Sequence, residues 1–286
     1  MFILLKRLSN YLKKNQKIFF IDKPLEFSNL EEQLIKEDLI GVDTEFDWRN
    51  TYFPNLSLLQ ISTKSKIFLI DCLKIKDLSR LQNIFDNLES TIIFHSVRSD
   101  ATVLFSSANL EVKNVFDIQI AEQVISNKNP QNYANLVKKY FSIHLDKSET
   151  NSNWLKRPFS KNQLDYAAND VKYLIGIFKK QKKILLNLKK YESVINSSLE
   201  EAKLGNRELY ISRLKKIDSS IKNAQRLFLW RENMAIEKNV PPSYIFKDKH
   251  LNKILNFLDK EQSEDKIYDL VGNLKLSKNL VEFFKK

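Results

Sequence analysis

Asp43-Thr44-Glu45 sets two carboxylates one residue apart inside the largely apolar run Leu39–Asp47. That run reads as a β-strand, whose side chains alternate between faces, so Asp43 and Glu45 project from the same face. Two bare carboxylates side by side repel each other. A divalent cation relieves the repulsion, and an all-oxygen donor set suits Mg²⁺ or Mn²⁺. On a solvated edge strand the same spacing would do nothing, so the pair needs partners. Asp100 is one candidate. It follows the buried strand Thr91–His95, close to a helix start, where the helix dipole favours an anion whether or not it has a further role. Asp170 is another. Ser160 and Gln163 have the spacing of a capping box that opens a helix. Leu164, Ala167, Val171, Leu174 and Phe178 form its buried stripe, and Tyr166 and Asp170, one turn apart, stack on one flank. Four carboxylates and a phenol suit two-metal phosphoryl chemistry, with the cations clamping a scissile phosphate, activating water and stabilising the leaving oxygen. The Tyr166 hydroxyl can then orient the water or help deprotonate it. His95 reads as a hydrogen-bonding residue at a strand end.

The elements that must position these residues follow from the hydrophobic pattern. Ser28 with Glu31 has capping-box spacing and predicts a short helix to about Lys36. Leu39–Asp47, Leu56–Ser62 and Lys66–Asp71 read as strands joined by short polar links, hence an antiparallel meander. Helical spacing returns at Leu78, Leu81, Ile84, Phe85 and Leu88. The strand Thr91–His95, a helix from about Asp100, a strand Val115–Asp117 and helices to about Lys190 come next. This order predicts an α/β fold, a mixed five-stranded sheet flanked by helices. Beyond about residue 210 no strand pattern appears. Leu227, Trp230 and Met234 keep helical spacing, Pro241-Pro242 breaks the chain, and short helices follow, giving a small all-α domain. The expected division is a basic leader over 1–20, read as an amphipathic helix over 1–17, a catalytic domain over 21–190, a helical linker over 191–209 and the helical domain over 210–286. The six lysines between 179 and 190 read as a solvated helix face or a basic hinge.

Composition narrows the partners. The chain has 286 residues, 43% of them hydrophobic, enough for packed cores in two domains. A net charge of +12 suits a polyanion, although the excess of Lys, Asn and Ile would also follow from an A+T-rich genome. The single cysteine, Cys72, rules out a disulfide framework or a thiolate metal cluster and suits a reducing cytoplasm. No apolar run reaches membrane-spanning length, and the stretch Phe2–Leu5 is too short for a secretory signal core. A cytoplasmic protein is therefore expected, with no membrane and no obligate protein partner.

Asp43, Glu45, Asp100 and Asp170 with Tyr166 resemble the DEDDy exonucleases, whose fold is ribonuclease H-like. The likeness is closest to the ribonuclease D family. Gly41-Val42-Asp43-Thr44-Glu45-Phe46 resembles its first motif, and Tyr52-Phe53-Pro54 and Leu58-Leu59-Gln60-Ile61 resemble the stretch beyond that motif. Phe116-Asp117-Ile118-Gln119-Ile120-Ala121 resembles its central segment. Leu145-Asp146-Lys147-Ser148-Glu149, Trp154-Leu155-Lys156-Arg157-Pro158 and the run from Asp165 to Leu174 resemble its third part. The tail, with Leu227, Trp230-Arg231, Ala235, Pro241-Pro242, Tyr244-Ile245-Phe246, Asp248 and Leu251, resembles the HRDC domain of ribonuclease D and RecQ helicases. The family often carries a second such module, for which this chain is too short. Ser96-Val97-Arg98-Ser99 departs from the small or acidic residues usual there, and Arg98 reads as a phosphate contact or as nothing.

The resemblance implies a 3′-5′ exoribonuclease acting on RNA with a free 3′ end, transfer-RNA precursors included, and releasing nucleoside 5′-monophosphates. It implies two divalent cations, Mg²⁺ or Mn²⁺, on Asp43, Glu45, Asp100 and Asp170, with Tyr166 completing the catalytic set and Thr44 and Phe46 as substrate contacts. Two alternatives stand beside it. A DNA exonuclease uses the same carboxylates, because only contacts to a 2′-hydroxyl discriminate. A catalytically silent RNA-binding protein would be signalled by a missing acid, and all four are present.

Overall fold

In the computed structural model, which describes residues 16–146, 148–207, 209–259 and 264–285, the chain forms two compact units. The first takes the described residues up to Asp47 and Asn55–Asn206. The second takes Trp48–Pro54 and the residues from Arg207 onward. The amphipathic helix expected over 1–17 lies outside the described residues except at its last two positions.

The first unit runs β1 (Lys17–Ile21), α1 (Pro24–Leu34), β2 (Leu39–Asp47), β3 (Asn55–Ser62), β4 (Lys66–Asp71), α2 (Leu81–Phe85), β5 (Thr91–Phe94), α3 (Val97–Ala108), β6 (Val115–Asp117), α4 (Ile118–Ser126), α5 (Tyr133–Phe141), α6 (Lys161–Lys172), α7 (Leu174–Asn187) and α8 (Tyr191–Gly205). The sheet order is β1-β4-β3-β2-β5-β6. β2, β3 and β4 form the expected antiparallel meander, and β5 and β6 join in parallel. Strand alternation sorts the apolar residues onto two faces. Ile40, Val42, Leu59, Ile61, Ile92 and Phe94 pack with α1 to α3. Leu58, Leu69, Ile93 and Phe116 pack with α4 to α8.

Three expectations need correcting. The sheet has six strands rather than five, because β1 pairs in parallel with β4 and begins inside the stretch assigned to the leader. Ile18, Phe19 and Phe20 are exposed on this edge strand, and an unbroken apolar run hides the two-residue period. Ser28 does not cap α1. The helix starts four residues earlier at Pro24, whose fixed φ and missing N–H suit a first helical position, and Ser28 donates instead to the Leu25 carbonyl. The periodicity from Leu78 to Leu88 yields only the short α2, with Leu88 exposed.

The second unit holds α9 (Ile211–Leu214), α10 (Ala224–Lys238), two 3₁₀ turns, α11 (Leu251–Asp259), α12 (Glu264–Val271) and α13 (Leu274–Lys285). Its core gathers Leu227, Phe228, Trp230, Ile254, Ile267 and Leu280. Tyr52, from the segment between β2 and β3, belongs to that core. Its hydroxyl donates to Glu232 at 2.9 Å, and the backbone N–H groups of Tyr52 and Phe53 both donate to Asn239 Oδ1 at 3.1 Å.

Candidate active site

Local sequence determines how each acid is presented. Asp43 and Glu45 lie on the β2 face that carries Gly41, and at Gly41 a helix packs tightly on that face. A Cβ there would sit 2.4 Å from Ser62 Oγ and 3.1 Å from the Leu174 side chain. Ser62 Oγ in turn donates to the Val171 carbonyl at 2.8 Å, which ties the end of α6 to β3. α6 begins with the expected capping box, in which Ser160 Oγ accepts from the Gln163 N–H and Gln163 Oε1 accepts from the Ser160 N–H. With its start and end fixed, α6 holds Asp170 over β2. Carboxylate oxygens of Asp43, Glu45 and Asp170 all lie within 4.8 Å of one another.

Asp100 arrives by a different route. β5 pairs with β2 only over Leu39–Gly41, so β2 runs on past the end of β5, and α3 starts just beyond that end. Asp100, in the first turn of α3, is 5% exposed and accepts a 2.6 Å hydrogen bond from Thr44 Oγ1. The helix starts at Val97, not at Asp100 as expected, because a left-handed turn at Ser96 (φ 64°) ends the strand segment abruptly.

The electrostatics are those of buried, mutually repelling carboxyls. Burial and then the Asp170 charge push the Asp43 carboxyl well above the usual carboxylate range. Burial, followed by Asp43, Asp170 and Asp100, holds Glu45 up at about 10. Burial and Asp43 raise Asp100 against the opposing Thr44 hydrogen bond. Asp170 is lifted to about 7 by burial and Asp100, with a hydrogen bond from Tyr166 working the other way. Directly across the ladder from Asp43, the buried Gln60 has neither its amide nitrogen nor its oxygen paired among the described residues. Clustered hard oxygen donors, mutual repulsion and an orphaned amide fit divalent cations.

Tyr166 lies one turn before Asp170, its ring against Trp154 at 6.0 Å and its hydroxyl 3.3 Å from Thr150 Oγ1. Burial and the Asp170 charge raise its pKa, so the phenol keeps its proton at neutral pH. An open pocket of about 190 Å³ adjoins the acids, lined among others by Asn132, Tyr133, Asp146, Thr150, Tyr166 and Asp170.

Residues 18–186, more than half of the chain, match the family model described as 3′-5′ exonuclease. The chain belongs to the 3′-5′ exonuclease family. Residues 222–285 match the HRDC domain model. This exonuclease-family chain is 31% identical over 243 residues to ribonuclease D of Desulfotalea psychrophila, covering 80% of this chain and 64% of that one. It is likewise 31% identical over 251 residues to ribonuclease D of Haemophilus influenzae, covering 84% of this chain and 62% of that one. It thus spans a little under two thirds of these relatives. The crystal structure of Escherichia coli RNase D, described as an exoribonuclease involved in structured RNA processing, superposes with a TM-score of 0.84 at 24% identity. The match covers 95% of this chain and 74% of that one. It carries the shared fold, a mixed sheet flanked by helices and followed by a helical region.

Within the exonuclease-family unit, the other sequence-derived candidates are placed as follows. Thr44 is buried with its hydroxyl on Asp100, and Phe46 is partly buried against the core that α1 to α3 cover, just after a register shift between Glu45 and Phe46. His95 bonds the Gln131 carbonyl at 2.9 Å, in keeping with a strand-end role. Arg98 is engaged by Glu201 rather than left free for phosphate. Sequence reasoning passed over Asn132 and Tyr133, which open α5. The Asn132 side chain caps that helix by accepting from the Asn135 N–H, and an Asn before an apolar helix was the available signal. No described helix is long and apolar enough to cross a membrane.

Proposed function

We propose that the protein is a divalent-metal-dependent 3′-5′ exoribonuclease of the ribonuclease D type. The observation that carries this is the convergence of Asp43, Glu45 and Asp170 oxygens within 4.8 Å, with Asp100 bonded to the intervening Thr44. Asp43, Glu45, Asp100 and Asp170 are the residues that would hold the cations, Mg²⁺ or Mn²⁺ by the hardness of their oxygens. Bound there, such ions supply charge stabilisation for the scissile phosphate and an activated water. Tyr166, protonated and donating to Asp170, would accept from the attacking water through its phenol oxygen and so orient it. The pocket lined by Asn132, Tyr133, Asp146 and Thr150 receives the terminal nucleotide, the role first expected of Thr44 and Phe46. The side chains of Asn132, Tyr133, Asp146 and Thr150 would hold the nucleotide by hydrogen bonds and packing.

RNA is favoured over DNA because the curated relatives carry the name ribonuclease D, and transfer-RNA precursors with a free 3′ end are the proposed substrates. The proposed division of labour keeps catalysis in 21–190 and substrate grip in the HRDC-like 210–286, in a cytoplasmic protein. Incubating the full chain with end-labelled transfer-RNA precursor and with matching DNA, in Mg²⁺, in Mn²⁺ and in excess chelator, tests the reading. Stepwise shortening of RNA from the 3′ end, abolished by chelator, is expected. Robust hydrolysis in chelator would sink it, and equal rates on DNA would return the DNA-exonuclease alternative.

A further inference from the structure

Asp117, at the end of β6, is 2% exposed and is not one of the clustered acids. Its carboxylate is occupied by backbone. Oδ1 accepts from the Ser96 N–H at 3.0 Å and Oδ2 from the Val97 N–H at 2.8 Å, while Oδ1 also accepts from the Gln119 N–H at 2.8 Å as the N-cap of α4. Ser96 is the left-handed residue that starts α3, and its own side chain makes no cap. A non-glycine residue holds that conformation only when its surroundings determine it, and the two N–H bonds to Asp117 are that determinant. They also satisfy donors that the first turn of a helix leaves open.

Asp117 is itself held from behind. Its N–H donates to Ser198 Oγ at 2.9 Å, and Ser198 donates to the Val194 carbonyl within α8. α8 presses on α3 from the same side. A Cβ on Gly205 would lie 2.6 Å from the Arg98 carbonyl oxygen and 2.7 Å from the Ala101 side chain. Asp100 stands between those two contacts, one turn from Ser96. The position of its carboxylate relative to Asp43 therefore follows from the start of α3.

We infer that Asp117 is a positioning residue for the metal-holding cluster, fixing Asp100 through the Ser96–Val97 turn. This rests on the proposed metal-dependent function. Asp117→Asn would test it, since the amide cannot accept from both Ser96 and Val97 N–H groups in place. A second variant adds Ser96→Gly, because glycine takes φ 64° without strain and removes the need for the grip.

Calorimetric titration of each full-length variant with Mn²⁺, without RNA, and metal-free thermal melts give the readouts. Asp117→Asn should bind Mn²⁺ about tenfold or more weakly, as expected when a partner that orients a ligand is lost. The double variant should regain melting temperature but not Mn²⁺ affinity, because its turn is relaxed yet still unaimed. If Asp117→Asn alone does not fold, the double variant carries the same comparison. Mn²⁺ affinity within about twofold of the parent in the folded variant would leave Asp117 a structural cap and overturn the inference. A parent chain that bound no Mn²⁺ would overturn the metal-dependent function and the inference together, a result distinct from parent binding with an unaltered variant.

Discussion

The Thr44 hydroxyl donates a 2.6 Å hydrogen bond to Oδ1 of Asp100, fifty-six residues further along the chain. Thr44 lies between the two paired carboxylates of β2, and its side chain leaves from the opposite face. One strand therefore presents two acids directly and holds a third through the residue between them.

Thr44→Val keeps shape and removes that donor. Hydrogen bonds to charged groups contribute roughly 1.5–3 kcal/mol, so a loss of about tenfold to a hundredfold in single-turnover rate is expected. RNA affinity should change little, because the hydroxyl faces Asp100 rather than the pocket. A variant with parental turnover would show that Asp100 is held without Thr44.

The five proposed active-site residues should separate by role. Asp43→Asn, Glu45→Gln, Asp100→Asn and Asp170→Asn should each nearly abolish turnover by removing charge from the cation site. Tyr166→Phe deletes a positioned hydroxyl and should cost roughly 10²–10⁴-fold. Metal-free melting temperatures of the four amide variants should rise, since each relieves repulsion among buried acids. Parental activity in Tyr166→Phe would reduce the tyrosine to packing against Trp154.

The raised carboxyls make the metal-free protein sensitive to pH. Asp170 titrates at about 7 when folded and near 3.9 when unfolded, so between these values the folded state holds more protons. Stability therefore falls as pH rises through that window, and Glu45, held at about 10, continues the trend. Cations binding the ionised forms should release protons and flatten the slope. Melts in chelator and in Mn²⁺ from about pH 5 to about pH 8 check this, with Asp170→Asn expected to lose part of the chelator slope. A metal-free slope unchanged by that substitution would contradict the assignment.

The segment leading to Tyr166 depends on a buried ion pair. Arg157 donates to both oxygens of Asp71 at 2.8 Å and to the Trp154 carbonyl at 2.7 Å. Burial alone would raise Asp71, but the Arg157 hydrogen bonds and charge hold it below its ordinary value. Arg157→Met should cost roughly 3–5 kcal/mol in urea melts at neutral pH, because it strands a buried carboxylate. In that variant Asp71 becomes a raised acid, so part of the loss should return as pH falls. A neutral-pH cost below about 1 kcal/mol would show that Asp71 is solvated or otherwise paired.

Truncation after Asn206 removes the helices against which Tyr52 packs in the second unit. The shortened chain should melt at a lower temperature, because Tyr52 and the N–H groups of Tyr52 and Phe53 lose Glu232 and Asn239. It should also bind RNA with a shallower salt dependence, as basic contacts to phosphate are lost. Equal salt slopes would remove the helical unit from substrate grip.

What the sequence by itself determined is whatever a short stretch of backbone enforces. The two-residue period of a strand puts Asp43 and Glu45 on one face, the Ser160–Gln163 box starts α6, and helical pitch puts Tyr166 one turn from Asp170. These depend on local sterics and hydrogen bonding, so they survive reading without a fold. The helical spacing of Leu227, Trp230 and Met234 and the Pro241-Pro242 break likewise announced a helical tail. Tertiary structure decided what joins them. Thr44 reaches Asp100 because β5 stops at the level of Gly41, and the grip of Asp117 on the Ser96 turn needs β6 beside β5. β1 is a strand because β4 offers it an edge, and Tyr52 sits in the second unit because helical side chains there enclose it. None of these contacts has a spacing in the chain that signals it, since each depends on the packing of elements far apart in sequence, and hydrophobic burial, which drives that packing, is non-directional.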